Sequence, residues 1–410
     1  MSTIDTRPDI PDRFVADVDI FNLDGFQNDV QLAWRRLQQT YPDIFWTPKN
    51  GGHWIATRAA DIKYIQSEHQ LFSNSQIFIP ATQLPSKLIP LNLDPPEHGP
   101  FRAIFAPAFT PSALDVLELQ ARTIAVELIE SLRPKGECEF VRDFAEKLPI
   151  IVFLNMMDLP LKDREYLLEL SHQNVAPSTP EQRVEAHRRL GAYLSSHIEE
   201  RKKRLGADLL SRIISARVGD RPIHPDEALS MSTLLLFGGL DTVASLMSFT
   251  MCFFATHPEH RRELNRNSEL RPVAVEEMIR RYGISNSVRV VRRDYEYKGV
   301  PFRQGDLVSL PTSLVGLDDR EVDEPLVVDF HRKRSKHAAF GHGGPHVCPG
   351  SMLARRELSV LLEEWLYRIP DFELKSGCKP VFRAARLNGV SELQLQWLPM
   401  QPPRAPDVAG

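Results

Sequence analysis

Phe340-Gly341-His342-Gly343-Gly344-Pro345-His346-Val347-Cys348-Pro349-Gly350 runs directly into Ser351-Met352-Leu353-Ala354-Arg355-Arg356-Glu357. The stretch reads as a glycine-rich loop that presents one cysteine and then opens a helix. Three glycines before the cysteine and one two residues after it let backbone amides approach the sulfur closely, where larger residues would collide. The helix N-terminus just beyond adds positive potential, which favours thiolate over thiol. A lone thiolate in this setting is a nucleophile or a metal ligand. The composition favours metal: there is no Cys-x-x-Cys partner, and no His/Asn pair is laid out as a protease would need. The bland alternative is a buried, inert cysteine beside a flexible loop.

Upstream, Pro225 begins the longest unbroken helical signal, which ends at Pro258. Roughly thirty residues at 1.5 Å each give about 45 Å, enough to cross a whole domain. The second half is apolar nearly all round, so it is expected to be buried. Its middle holds Gly238-Gly239-Leu240-Asp241-Thr242. Two glycines cost a helix interior about 2 kcal/mol relative to alanine, so something needs the missing side chains. Close helix packing accounts for the glycines, but not for an acid and a hydroxyl beside them.

Elsewhere the pattern is mostly helical. Asn28 or Asp29 caps a helix with Val30, Ala33, Trp34 and Leu37 on one face. Residues 45–57 form a hairpin about the Asn50-Gly51-Gly52 turn, followed by a short helix over 61–66. From Phe72 to Pro100 the chain is proline-rich and aperiodic, the signature of a functional lid. Thr110-Pro111 starts a helix with Leu114, Leu117, Ala121, Ile124, Leu128 and Leu132 along one side. Residues 143–215 read as helices broken by Pro149, Pro160, Pro177 and Pro180. The pattern turns to strands over 288–310, and a helix runs from Pro349 to about Tyr367.

The 410 residues show no linker, repeat or low-complexity tract, so a single domain over 1–410 is expected, mainly α with small β-sheets. Residues 1–27 are expected as an extended arm and 401–410 as a loose tail. A net charge of −4 argues against nucleic acid as the main partner. Four cysteines in so long a chain are no disulfide framework, which points to a reducing compartment. The N-terminus lacks a leader pattern, and no apolar run is expected to reach the ~20 residues that span a bilayer. A cytoplasmic, monomeric protein with no membrane contact follows.

With Ala354-Arg355-Arg356-Glu357 after it, the cysteine loop resembles the haem-binding loop of the cytochromes P-450, in which a cysteine thiolate holds the haem. The family usually has three residues between the second loop glycine and the cysteine; Gly344 to Val347 makes four here, while Gly350 keeps its offset from Cys348. Gly238-Gly239-Leu240-Asp241-Thr242 resembles the family's oxygen-activation segment, and Glu277-Met278-Ile279-Arg280 matches its Glu-x-x-Arg. Further stretches, residues 50–58, 94–97, 129–134 and 368–372, resemble the bacterial camphor hydroxylase type, and the likeness runs from about residue 12 to residue 399.

The resemblance implies a P-450 fold with haem b (iron protoporphyrin IX) between the long central helix and the helix after the cysteine loop. It implies a class I haem monooxygenase that uses O2 and electrons from NAD(P)H, delivered through a ferredoxin reductase and a [2Fe–2S] ferredoxin. Cys348 becomes the axial ligand of the haem iron, and Asp241 and Thr242 the catalytic pair for oxygen activation. Arg102, Arg289, His346 and His98 become propionate partners, with Gly238 and Phe340 against the haem. Glu277 and Arg280 become a buried structural pair; Val327 stands where a third arginine is expected.

The camphor-binding tyrosine of that type has no counterpart, since no tyrosine lies between Leu71 and Pro100; its counted position is Ser86. The other pocket candidates are Phe78, Leu88, Leu91, Leu234, Phe237, Ser285 and Leu387, which favours an apolar terpenoid or norisoprenoid substrate. The ferredoxin is expected on a basic, cysteine-side face carrying Arg102, Lys333, Arg334, Lys336, Arg355 and Arg356. Competing readings are a non-catalytic haem sensor and a peroxide-driven peroxygenase. The acid–alcohol pair at 241–242 disfavours both.

Overall fold

Asp29 accepts a hydrogen bond from the Leu32 amide and so caps α1 (Val30–Thr40), whose buried Val30, Ala33, Trp34 and Leu37 share a face. The structure is a computed structural model describing residues 9–399, so the expected tail at 401–410 and the first part of the arm lie outside the described residues. Residues 9–27, expected as an extended arm, hold a 3-10 turn at Asp12–Phe14 and further turns over 20–27, and they are packed: Ile10, Phe14, Ala16, Val18, Ile20 and Leu23 are buried, and Val15 bridges to Trp46.

Helix α2 (Ala59–Ser67) follows the first hairpin. The lid then runs without helix to α3 (His98–Phe105). Thr110 caps α4 (Pro111–Leu132) with Pro111 at its first position. The buried stripe of α4 is Leu114, Leu117, Ala121, Ala125, Ile129 and Leu132; Ile124 and Leu128 are half-buried on its flank. In α5 (Lys147–Met157), Pro149 does not break the helix. It occupies the first turn, where its missing N–H has no intrahelical acceptor. Next come α6 (Arg164–Val175) and α7 (Pro180–Lys203), the latter capped by Thr179.

The central helical signal is two helices. α8 (Pro225–Gly239) and α9 (Asp241–Thr256) are separated at Leu240, where φ is −91° and ψ −67°. Thr242 donates its hydroxyl to the Gly238 carbonyl at 3.0 Å, a back-bond of the kind that bends helices. By length and composition residues 225–256 would span a bilayer, against the sequence expectation. The apolar window is 72% buried inside the fold, so its hydrophobicity serves the core.

After α10 (Arg271–Arg281) and the strand region, α11 (Ser351–Arg368) packs along α4. Trp365 of α11 meets Phe140 and Phe144, which lie between α4 and α5, edge-on at 5.2 and 5.4 Å. Strands β1 (Ile44–Thr47), β2 (His53–Ala56), β3 (Phe72–Ser73), β4 (Asn286–Val291) and β5 (Leu307–Pro311) form one sheet in the order β1-β2-β5-β4-β3. The Lys298-Gly299 turn joins a separate hairpin, Tyr295–Tyr297 with Val300–Phe302. The sheet brings β4, the lid and the cysteine loop to the same cavity.

Candidate active site

One cavity is lined by Cys348, Phe340 and Pro349 of the cysteine loop, by Gly238 and Thr242 of the α8/α9 junction, and by His98, Arg102, Arg289 and His346. The loop before α11 is held by the Cys348 amide donating to the Phe340 carbonyl at 2.9 Å. Gly343 and Gly344 do a different job from the one the sequence suggested. A Cβ on Gly343, at φ +56°, would stand 2.5 Å from Ser67 Oγ. Ser67 also donates to the His342 carbonyl at 3.2 Å. The glycines therefore let the loop press against the end of α2, and it is the Gly350 amide that reaches the sulfur.

Burial pushes the Cys348 thiol up; the Gly350 N–H, Arg102 and Arg355 oppose it without prevailing. The expected helix-N-terminus effect is thus outweighed by desolvation, and a cation on the sulfur is what would fix the thiolate. Among the four cysteines, all free, only Cys348 lines the cavity.

Around the cavity stand cationic and imidazole donors with few acceptors. Arg289 is buried and donates only to the Val288 carbonyl, at 2.9 Å; burial brings it down to about 10. His346 Nε2 lies 3.8 Å from Asp94, too far for a hydrogen bond, and has no hydrogen-bond partner among the described residues. His98 meets the His346 ring edge-on at 4.6 Å and is lowered to about 4 by burial, with His346 and Arg102 adding to it. Arg102 donates to the Val347 carbonyl and is lowered by burial. A flat cofactor with two carboxylates would satisfy this set, and the Cys348 sulfur would be placed to hold its metal. Haem b fits the residues present.

At the α8/α9 junction the two glycines divide their roles. A Cβ on Gly239 would stand 2.7 Å from the Phe153 ring of α5, so this glycine serves helix packing. Gly238 faces open space in the cavity wall. Thr242 lines the cavity, whereas Asp241 does not. The Asp241 carboxylate is 5% exposed and points to α6, where Ser171 donates to it and His172 Nε2 lies 3.7 Å away. His172 is raised, first by its 2.8 Å bond to Glu146, and reaches solvent.

Glu277 and Arg280 form a two-pronged ion pair at 2.8 and 2.9 Å, both fully buried. A third arginine is present after all. Arg332, not residue 327, donates to Glu277 at 3.2 Å, and Val327 contributes its carbonyl to both arginines. The motif spacing missed this because the loop at 325–332 folds back on itself.

Of the pocket candidates, Phe78, Leu88, Leu91, Leu234, Phe237, Ser285 and Leu387 line the cavity. Ser86 does not: it is exposed on the lid. The lid turns inward only afterwards, pinned by the Ile89 amide donating to Ser230 of α8 at 2.9 Å. Several lining residues escaped the sequence reading, three of which change the chemistry of the wall. Glu357 is buried on α11, its Oε2 lacks a partner, and burial alone raises it to about 8. Asn174 and Arg386 bring polar groups to a wall expected to be apolar.

The expected basic face is thinner than counted. Arg102 turns inward, Arg355 pairs with Glu276 at 2.5 Å, and Arg356 with Asp115 and Glu118 at 2.7 and 2.9 Å. Lys333, Arg334 and Lys336 remain exposed.

A profile of the cytochrome P450 family matches residues 166–380. Over 403 residues the chain is 34% identical to a probable cytochrome P450 127A1 of Sinorhizobium fredii, covering 95% of this chain and 96% of that one. Cytochrome P450(BM-1) of Priestia megaterium is 31% identical over 78% of this chain and 84% of its own length. The crystal structure of CYP101J2 superimposes with a TM-score of 0.87 at 36% identity, covering 96% of this chain and 99% of that one. That of CYP101C1 gives 0.86 at 37%, covering 95% and 98%.

Proposed function

The chain belongs to the cytochrome P450 family, as a haem b monooxygenase of the bacterial CYP101 type, and from that membership we propose that it hydroxylates a small, largely apolar substrate of terpenoid or norisoprenoid type. Electrons come from NAD(P)H through a ferredoxin reductase and a [2Fe–2S] ferredoxin in the cytoplasm. The observation that carries the reading is Cys348 and Thr242 lining a single cavity whose wall also holds Arg102, Arg289, His98 and His346.

Cys348 would hold the iron, with Arg102, Arg289, His98 and His346 on the propionates and Gly238 and Phe340 against the ring. Haem b, when bound, supplies the redox-active iron on which dioxygen is reduced, one atom going to the product and the other to water. Forming that water takes two protons from the protein. Thr242 holds a hydroxyl at the cavity wall, and Asp241, one residue before it, faces His172 and through it solvent. Asp241 and His172 would form the solvent end of the proton supply and Thr242 its cavity end. The exposed Lys333, Arg334 and Lys336 offer the acidic ferredoxin a docking site.

The test is Thr242→Ala. Haem content and substrate binding should persist, while most of the NADH consumed yields peroxide in place of hydroxylated product. Unchanged coupling would remove Thr242 from the mechanism.

Pro349 bears on the sulfur. It has no N–H to offer, and it precedes α11, with Gly350 as the cap, so it does not lie in the first turn as the sequence suggested. The Gly350 amide is therefore left to face the sulfur. Pro349→Leu should add a donor, withdraw electron density and raise the ferric/ferrous potential. An unmoved potential would leave Pro349 only a role in chain direction.

A further inference from the structure

Arg386 lies in the wall of the cavity, beside Leu387 and Phe78. Among the described residues its guanidinium has no hydrogen-bond or ion-pair partner; its carbon sits 5.5 Å from the centre of the Phe78 ring. A second cation, Arg183, 4% exposed, lies over the same ring at 4.3 Å. Arg183 donates to the Asn174 carbonyl at 2.9 Å and to Thr82 at 3.3 Å, both neutral.

Among the described residues no carboxylate makes an ion pair with either arginine; Asp241 acts on Arg386 only from a distance. Burial lowers Arg183 to about 10, and Arg386 adds to it. Burial likewise lowers Arg386 to about 10, opposed only by Asp241. That carboxylate is taken by Ser171 and makes no ion pair with Arg386. His187 bonds Asn174 Oδ1 at 2.8 Å and is lowered to about 3 by burial, then by both arginines, so it stays neutral. Asn174, whose Oδ1 is thus engaged, also lines the cavity.

An unpaired buried cation is costly, and a cation–π contact recovers only part of that cost. Arginine is also the side chain whose planar fork matches a carboxylate with two parallel bonds. We propose that the substrate is an apolar acid whose carboxylate pairs with Arg386, while its hydrocarbon body lies among Leu88, Leu91, Leu234 and Phe237. Asn174 would add a donor beside the carboxylate, and oxygen enters the body at a carbon remote from it. This rests on the monooxygenase reading above and narrows its substrate class to acids, such as terpenoid acids.

The experiment uses the haem-loaded protein at pH 8, where a carboxylic acid is ionised and Arg386 is still a cation. Perillic acid and the larger abietic acid are each titrated against their methyl esters. Binding is read by the haem spin-state shift and, independently, by calorimetry. At least one acid should bind tenfold or more tightly than its ester. Arg386→Leu should bring that ratio to about one, and Arg386→Lys should keep part of the preference. If neither acid binds more tightly than its ester, or if Arg386→Leu weakens acid and ester alike, the proposal is overturned. The reduced-CO spectrum separates the two failures. A thiolate-type spectrum with no acid preference sinks this inference alone, and the absence of that spectrum in the unmodified protein sinks the monooxygenase reading.

Discussion

Cys348→Ser is expected to abolish the thiolate-type spectrum of the reduced CO complex completely. A serine hydroxyl stays neutral where the thiolate is anionic, so the strong electron donation to the iron goes with it. The structure supplies its own control. Cys138 is buried in the core and Cys252 is pushed up to about 12 by burial; neither lines the cavity. Cys138→Ser and Cys252→Ser should therefore leave the spectrum as it is. A persistent thiolate spectrum in Cys348→Ser, or its loss in either control, would move the ligand elsewhere.

Glu277→Ala should cost roughly 3–5 kcal/mol of stability, the range for removing one partner from a buried charge pair. The carboxylate is fully buried and takes bonds from Arg280, Arg332, Ser335 and the Asp329 amide. Without it Arg280 keeps only the carbonyls of Gly316, Pro325 and Val327. Against a total of about 5–15 kcal/mol the loss is large, and folded, haem-loaded protein should fall sharply. Arg332→Ala should cost less, because that side chain is partly exposed and screened. Denaturant titration of the two variants checks both. A loss below about 1 kcal/mol for Glu277→Ala would mean that the network is not structural.

The Glu277 network also shows where a motif stops being informative. Glu277 and Arg280 are a turn apart, so their pairing is fixed by helix geometry. The third arginine arrives from a loop some fifty residues on, and only the path of that loop selects Arg332 over residue 327. The same division holds for Ser86. Its position counted back from Asp94 assumes an even lid, but the bonds between the lid and Ser230 leave Ser86 outside and bring Leu88 in.

The sequence by itself determined the things that short-range rules control. Asp29 and Thr110 capped their helices where expected, the Asn-Gly-Gly hairpin formed, and the cysteine loop opened a helix. Cys348, Thr242 and the apolar lid residues could be listed as candidates for one cavity because each sits in a local pattern. Only the tertiary structure decided the direction of side chains and the company they keep. It broke the central helix at Leu240, turned Asp241 away from the cavity towards His172, and set the loop glycines against Ser67. It also placed Arg386 over Phe78 with no ion-pair partner among the described residues. Periodicity records which positions are buried, but a charge's energy depends on what faces it across the fold, and partners hundreds of residues apart leave no spacing to read.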